Sequence, residues 1–366
     1  MSSFVTFYFG CRAWLCFEYT SIESLASKYR NRYSLGEENM INFGTISTAN
    51  ITPRALMSPC IDEPKARVVS IAARSKSRAE EFAKWHGISR VYESYDEVLA
   101  DGETNAFYNP LPISMHKDWT IKALRAGKHV LCEKSFASNA LEAKEMEAAG
   151  AETGLVLMDA FHYRYHPVFI RAKEIMESGE IGKVERIDAA FHVPVSDPGN
   201  IRMNYSLGGG VTMDIGCYPI SWVRHLVGEE PLVKSTELEV GPPNVDTFLA
   251  AEFVFPSGVE ARISGDMRSN AKFRMEFEVT GEEGRLYVRN PLIPQIGHSI
   301  EVTRKDTQRS ETCDRRPTYS YQLDAFIDAI DNQSSLFTDA ADAVKQMSVI
   351  DQCYDVAGLP QRGLEL

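Results

Sequence analysis

Paired cysteines at metal-ligand spacing, a basic surplus and a long apolar run are all missing from this chain of 366 residues. Its seven cysteines (Cys11, Cys16, Cys60, Cys132, Cys217, Cys313, Cys353) are odd in number and scattered. Neither a disulfide framework nor a zinc site is indicated, no metal is expected, and they read as reduced, mostly buried thiols. With 39 Lys and Arg against 51 Asp and Glu, the formal charge is -12, so no positive charge is spare to neutralise a nucleic acid backbone. No uninterrupted apolar run approaches the roughly 20 residues of a membrane span. What remains is an acidic, soluble, cytoplasmic protein, long enough for two packed domains.

Residues 1–39 stand apart. Phe4 to Phe17 is aromatic-rich, but Arg12 interrupts it and no cationic region precedes it, which fits a secretory signal poorly. The polar stretch that follows ends at Met40, directly before the first convincing strand, and Met40 is the expected true start.

Beyond it, strands and helices alternate from 41 to 158, the signature of a doubly wound parallel sheet. The expected domains are therefore 1–39, an extension; 40–160, a dinucleotide-binding unit; and 161–366, a substrate unit. The first turn, Gly44-Thr45-Ile46-Ser47-Thr48-Ala49-Asn50-Ile51, is a degraded dinucleotide fingerprint in which only Gly44 and the small Ala49 remain of three glycines. Alone, it fits an ordinary strand-to-helix turn as well as phosphate binding. The next strand ends at Arg74-Ser75-Lys76-Ser77-Arg78. An acid there would hold the ribose 2′-hydroxyl of NAD, whereas an Arg accommodates a 2′-phosphate, so NADP is favoured over NAD.

Asn109-Pro110-Leu111-Pro112 ends a further strand in a rigid loop suited to flank a nicotinamide ring, with His116 behind it as either a contact or a plain helix-start residue. The run Ala126-Gly127-Lys128-His129-Val130-Leu131-Cys132-Glu133-Lys134-Ser135 then carries Glu133 and Lys134 to the carboxyl edge of the sheet. Ligands bind at that edge in open α/β sheets.

The second unit begins at Asp159-Ala160-Phe161-His162-Tyr163-Arg164-Tyr165-His166-Pro167 and continues in meandering antiparallel strands. These predict an open sheet with helices on one face and a candidate oligomer contact on the other. Gly208-Gly209-Gly210-Val211-Thr212-Met213-Asp214-Ile215-Gly216-Cys217-Tyr218-Pro219 places Asp214 and Tyr218 on one helix face. A Tyr near a Lys is a workable acid/base, because the ammonium lowers the phenol pKa. His162, Tyr163, His192 and Arg202 are the expected polar walls for a hydroxylated substrate.

In combination these motifs are specific. From about Met40 onward the chain resembles the glucose-fructose oxidoreductase / inositol dehydrogenase (Gfo/Idh/MocA) family. The resemblance implies an N-terminal Rossmann doubly wound parallel sheet plus a C-terminal α/β domain with an open, mostly antiparallel sheet that makes a homodimer. It implies Lys134 as the catalytic Lys, Asp214 as the active-site Asp and Tyr218 as the acid/base. Contacts to the nicotinamide cofactor are expected from Gly44, Ile46, Thr48, Ala49, Arg74, Ser75, Arg78, Asn109, Pro110, Leu111, His116, Glu133 and Lys134. The choice of Tyr218 looks most like the branch of NADP-dependent xylose and dihydrodiol dehydrogenases. The expected activity is oxidation of a cyclic sugar or similar alcohol. A trans-dihydrodiol dehydrogenase, a secondary-metabolism reductase and a non-catalytic NADP sensor are the alternatives. Ser135 departs from the family, which has Pro after the Lys.

Overall fold

The computed structural model describes residues 40–241 and 244–364, so the expectations for residues 1–39 lie outside the described residues. Six parallel strands come first: β1 (Ile41–Ile46), β2 (Ala66–Ala72), β3 (Arg90–Tyr92), β4 (Ala106–Asn109), β5 (His129–Cys132) and β6 (Leu157–Asp159). Their spatial order is β3-β2-β1-β4-β5-β6, which reverses direction between β1 and β4 and opens a crevice at the carboxyl ends there. The sheet's helices are a π-helical turn at Pro53–Met57 running into α1 (Ser58–Asp62), then α2 (Lys76–His86), α3 (Tyr95–Ala100), α4 (His116–Arg125) and α5 (Ala140–Thr153). Ser75, Ser94 and Asn139 cap α2, α3 and α5 by accepting a first-turn N–H.

Gly44 lies inside β1 rather than in the turn after it. A Cβ there would stand 2.6 Å from Val98 Cγ1, so its bare Cα is what lets α3 lie on the strand. It packs helix against sheet and is not a phosphate contact. Ile46 closes the same strand, fully buried.

A second sheet of eight strands has the order β14-β13-β12-β11-β7-β10-β9-β8. These are β7 (Val184–His192), β8 (Leu232–Gly241), β9 (Val245–Val254), β10 (Glu260–Asp266), β11 (Arg274–Gly281), β12 (Gly284–Arg289), β13 (Ser299–Arg304) and β14 (Thr307–Glu311). All neighbours are antiparallel except β7 and β10. One face, with Ile187, Phe191, Ile263, Phe277 and Val288, is buried under α6 (Pro167–Glu177) and α7 (Cys217–Val227). The other face is polar, with ion pairs Arg186–Asp188 at 2.7 Å, Arg274–Glu276 at 2.8 Å and Arg285–Glu278 at 3.3 Å.

The last two helices do not stay with the second sheet. Helix α8 (Thr318–Asn332) returns to the first domain, where Phe326 stacks on Phe43 of β1 at 5.5 Å. Helix α9 (Ala340–Val356) packs on α5, and its approach bridges Asp339 to Met158 of β6. Residues 161–366 are thus not self-contained, because the chain's end stitches both sheets together. No helix among the described residues is long and apolar enough to cross a membrane.

Candidate functional site

Lys134 leaves the carboxyl end of β5 and meets a π-helical turn at Thr212–Gly216, eighty residues later. Its Nζ donates to the Asp214 carbonyl oxygen at 2.7 Å and to Asp214 Oδ1 at 3.0 Å. The other oxygen, Oδ2, accepts from Arg202 Nε at 2.5 Å. Burial alone would raise the Asp214 pKa, but Arg202 and Lys134 outweigh it and hold the carboxyl far below its usual range. The Lys134 pKa is raised: burial opposes its charge, and Asp214 more than restores it. Both carboxylate oxygens being taken, Asp214 fixes the Lys rather than reaching for a ligand, and Arg202 is its second clamp.

The triple glycine makes this geometry possible. A Cβ on Gly209 would stand 2.5 Å from the Arg202 carbonyl oxygen, so only glycine lets the Arg202 loop lie so close. Asp246 accepts from the Thr212 N–H at 2.8 Å and pairs with Arg362, whose Nε donates to the Gly209 carbonyl at 3.0 Å. Arg362 also lies over the rings of Tyr205 and Tyr354.

Tyr218 follows on the first turn of α7, with Lys134 Nζ 5.3 Å from its ring centroid. Its hydroxyl has no protein hydrogen-bond partner among the described residues. Burial, with nearby Tyr319, Cys217, Glu133 and Asp214, pushes the phenol pKa well above its ordinary value. This corrects the expectation of a lowered pKa: Lys134 is a neighbour of the ring, but its charge is already spent on Asp214.

No ion pair joins Glu133 to Lys134 among the described residues. Glu133 is buried and accepts from the Tyr108 hydroxyl at 2.7 Å, and burial raises its pKa. Ser135 is buried too. Its peptide bond to Lys134 is cis, and its hydroxyl donates to the Met213 carbonyl at 2.8 Å, a second tie between the Lys loop and the Asp214 turn. His116 is fully buried, with Nδ1 2.9 Å from the Ser135 carbonyl and Nε2 2.7 Å from that of Leu111. Burial draws its pKa down to about 4. Both carbonyls can only accept, so the neutral ring donates to one of them, and wedged between the two it braces both loops. Asn109, also buried, shapes the same loop through His116, Thr120 and Leu111, beside Pro110.

At the mouth of β1 the missing glycine is accounted for. Ser47 has φ 79, the left-handed region that favours Gly, and its N–H donates to the Ala72 carbonyl at 2.7 Å. Thr48 and Ala49 follow, half-buried, before the π-helical turn. Beyond β2, Arg74 and Arg78 are exposed and unpaired with any acid among the described residues, while Lys76 is tied to Glu93. Ser75 caps α2. A tight left-handed turn at the crevice and two uncommitted guanidinium groups at the end of β2 fit a dinucleotide carrying a 2′-phosphate.

Of the polar walls, His162 is brought to the site, its ring 6.3 Å from that of Tyr218. Tyr163 is not. It is fully buried, donates to Ser221 Oγ at 2.7 Å and packs on Phe169, so it belongs to the core. His192 also faces away: its neighbour Phe191 packs on Tyr218 at 5.7 Å, and strand alternation sends His192 to the opposite face, beside Ser264. Thr318 and Tyr319, at the start of α8, line His162 unforeseen; nothing in the sequence shows that α8 folds back.

Family models match both halves. Residues 41–161 match the oxidoreductase family, NAD-binding Rossmann fold, and residues 169–287 match the GFO/IDH/MocA C-terminal domain. The chain is 31% identical over 318 residues to a D-xylose 1-dehydrogenase (NADP(+)) of Haloferax volcanii, covering 86% of this chain and 97% of that one. A trans-1,2-dihydrobenzene-1,2-diol dehydrogenase of Xenopus laevis is 31% identical over 61% of this chain and 63% of its own length. Among solved structures, a 3-ketoreductase from Actinomadura kijaniata in complex with NADP and TDP-benzene superposes with a TM-score of 0.81 at 28% identity. That likeness covers 86% of this chain and 96% of the other. The chain belongs to the GFO/IDH/MocA oxidoreductase family.

Proposed function

We propose that this family member is an NADP-dependent dehydrogenase acting on a CH–OH group of a cyclic sugar or similar alcohol, with aldose C1 as the reacting carbon. The convergence of Lys134, Asp214 and Tyr218 carries the reading. A fixed ammonium 5.3 Å from a phenol ring, with the phenol hydroxyl left free, is the arrangement that proton transfer to a substrate oxygen needs. Bound NADP supplies the hydride acceptor. Lys134, oriented by Asp214 and Arg202, donates a hydrogen bond to the reacting oxygen, and Tyr218 exchanges its proton. Arg74 and Arg78 hold the 2′-phosphate, Ser75 beside them, and the Ser47–Ala49 turn takes the pyrophosphate.

The raised phenol pKa favours one second reading, carbonyl reduction, in which protonated Tyr218 serves directly as the acid. The relatives above include both dehydrogenases and a ketoreductase. A cytoplasmic location is supported by the odd number and scattered placing of the cysteines in the sequence, and a homodimer by the open sheet face.

A panel of aldoses, ketoses and diols with both cofactors tests the function. Tyr218→Phe is expected to lose at least about 100-fold in kcat while NADPH titration stays unchanged. Near-normal turnover would reject the acid/base role. Arg74→Ala should weaken NADPH far more than NADH, and equal losses would place the 2′-phosphate elsewhere.

A further inference from the structure

A guanidinium presents its donors in a rigid fork, so one arginine holds two acceptors in a fixed geometry. Arg362 is buried and uses its fork in this way. Nε donates to the Gly209 carbonyl at 3.0 Å, and Nη2 pairs with Asp246 Oδ1. The same carboxylate accepts from the Tyr354 hydroxyl through Oδ1 at 3.1 Å and from the Thr212 N–H through Oδ2 at 2.8 Å. Gly210 lies between the two anchored residues with φ 136, and a Cβ there would collide with Asp246 Oδ1. Its carbonyl accepts from the Asp214 N–H at 2.9 Å. The backbone of Arg362 reaches the other domain. Its carbonyl accepts from Asn139 Nδ2 at 2.8 Å, and Asn139 Oδ1 caps α5. Gly363 follows at φ 75, so close to Ser138 that a Cβ would stand 2.7 Å from the Ser138 Cβ. Ser138 and Asn139 belong to the loop that begins at Lys134.

We propose that Arg362 is a positioning residue: it sets the Asp214 turn of one domain against the Lys134 loop of the other, and so fixes where the Lys134 ammonium stands. It acts through Asp214 alone. Its effect on rate rests on the dehydrogenase reading of the Lys134–Asp214–Tyr218 site, whereas its effect on Lys134 itself does not. A buried ion pair that served only stability would need Asp246 and nothing more. Here the remaining bonds go to Gly209 and Asn139, on the two loops that carry Asp214 and Lys134. A shift of about 1 Å in a group that meets the reacting atoms costs on the order of 100-fold in rate, so freeing the turn costs turnover rather than binding.

Lys134 is read without turnover, from the rate at which acetic anhydride modifies its amine in the full chain, followed by peptide mass spectrometry with the exposed Lys84 as reference. Arg362→Ala is expected to speed that modification about tenfold, because an ammonium released from its carboxylate yields more free amine. The same variant is expected to lose about 100-fold in kcat, with KM and the NADPH titration within about twofold of the wild type, and added ethylguanidinium to restore much of the loss. Arg362→Ala also strands the buried Asp246 carboxylate. Arg362→Lys keeps that charge paired and gives up the Gly209 bond, so it is read alongside, with an expected loss of about tenfold in kcat. A purely structural ion pair would lower the melting temperature of both variants and leave Lys134 reactivity and kcat of the folded protein at wild-type values. That result overturns the proposal and leaves the dehydrogenase reading standing. Wild-type protein that turns over no sugar or alcohol takes down both.

Discussion

Burial acts in two ways on single acids in this chain. Asp214 is buried between two cations and stays ionised, whereas Asp351 on α9 is buried without an ion pair among the described residues and its pKa is pushed up to about 6, chiefly by burial. The folded state therefore binds the Asp351 proton more tightly than the unfolded chain, with its ordinary value near about 4, and stability falls as pH rises from about 4 to about 6. Asp351→Asn keeps an acceptor for the Ala140 N–H, which Asp351 holds at 2.8 Å. It should stabilise by about 2 kcal/mol at about pH 7 and by almost nothing below about pH 4, measured by urea unfolding at both. A gain independent of pH would rule out the charge as its cause. For Tyr218 as the proposed base the sign shows in the rate: oxidation would need the deprotonated phenol, whose fraction grows as pH approaches the raised pKa. Oxidative kcat should climb between about pH 7 and about pH 9 while reductive kcat stays level. A flat oxidative profile would point to another base.

Among the elements, the turn after β1 is where sequence and structure part. Its glycine pattern looks degraded because Gly44 belongs to the strand and Ser47 occupies the left-handed position with a side chain. Ser47→Gly should leave stability nearly unchanged and tighten NADP. Ser47→Val, forcing a β-branched residue into that region, should cost about 1–3 kcal/mol and weaken NADP, as thermal melts and fluorescence titration would show. Both sheets were legible because parallel strands read as apolar runs and the antiparallel ones alternate. The edge strands β8 and β14 were not, since Leu232–Gly241 and Thr307–Glu311 are exposed and rich in charged or polar residues, as suits a sheet edge. Lys134, Asp214 and Tyr218 could be read from local motifs. Burial of Tyr163, the facing of His192 and the diversion of the Lys134 charge could not, because each depends on which element packs where.

At the scale of the whole molecule, the outer face of the second sheet is a lattice of ion pairs rather than an apolar patch, with Tyr287 bonded to Glu276 among them. A dimer across that face should weaken in salt, because exposed charge pairs are screened within about 3 Å at about 1 M. Light scattering at low and high ionic strength measures this; a dimer indifferent to salt would place the contact elsewhere. The two domains also share one closing device, Arg362, which grips the Gly209 carbonyl and Asp246 and whose own carbonyl accepts from Asn139 of the first domain at 2.8 Å. In a nascent chain, residue 362 must leave the ribosome before the loop ahead of Asp214 is pinned and tied to Asn139, so the candidate site takes its final shape only once the chain is almost wholly made.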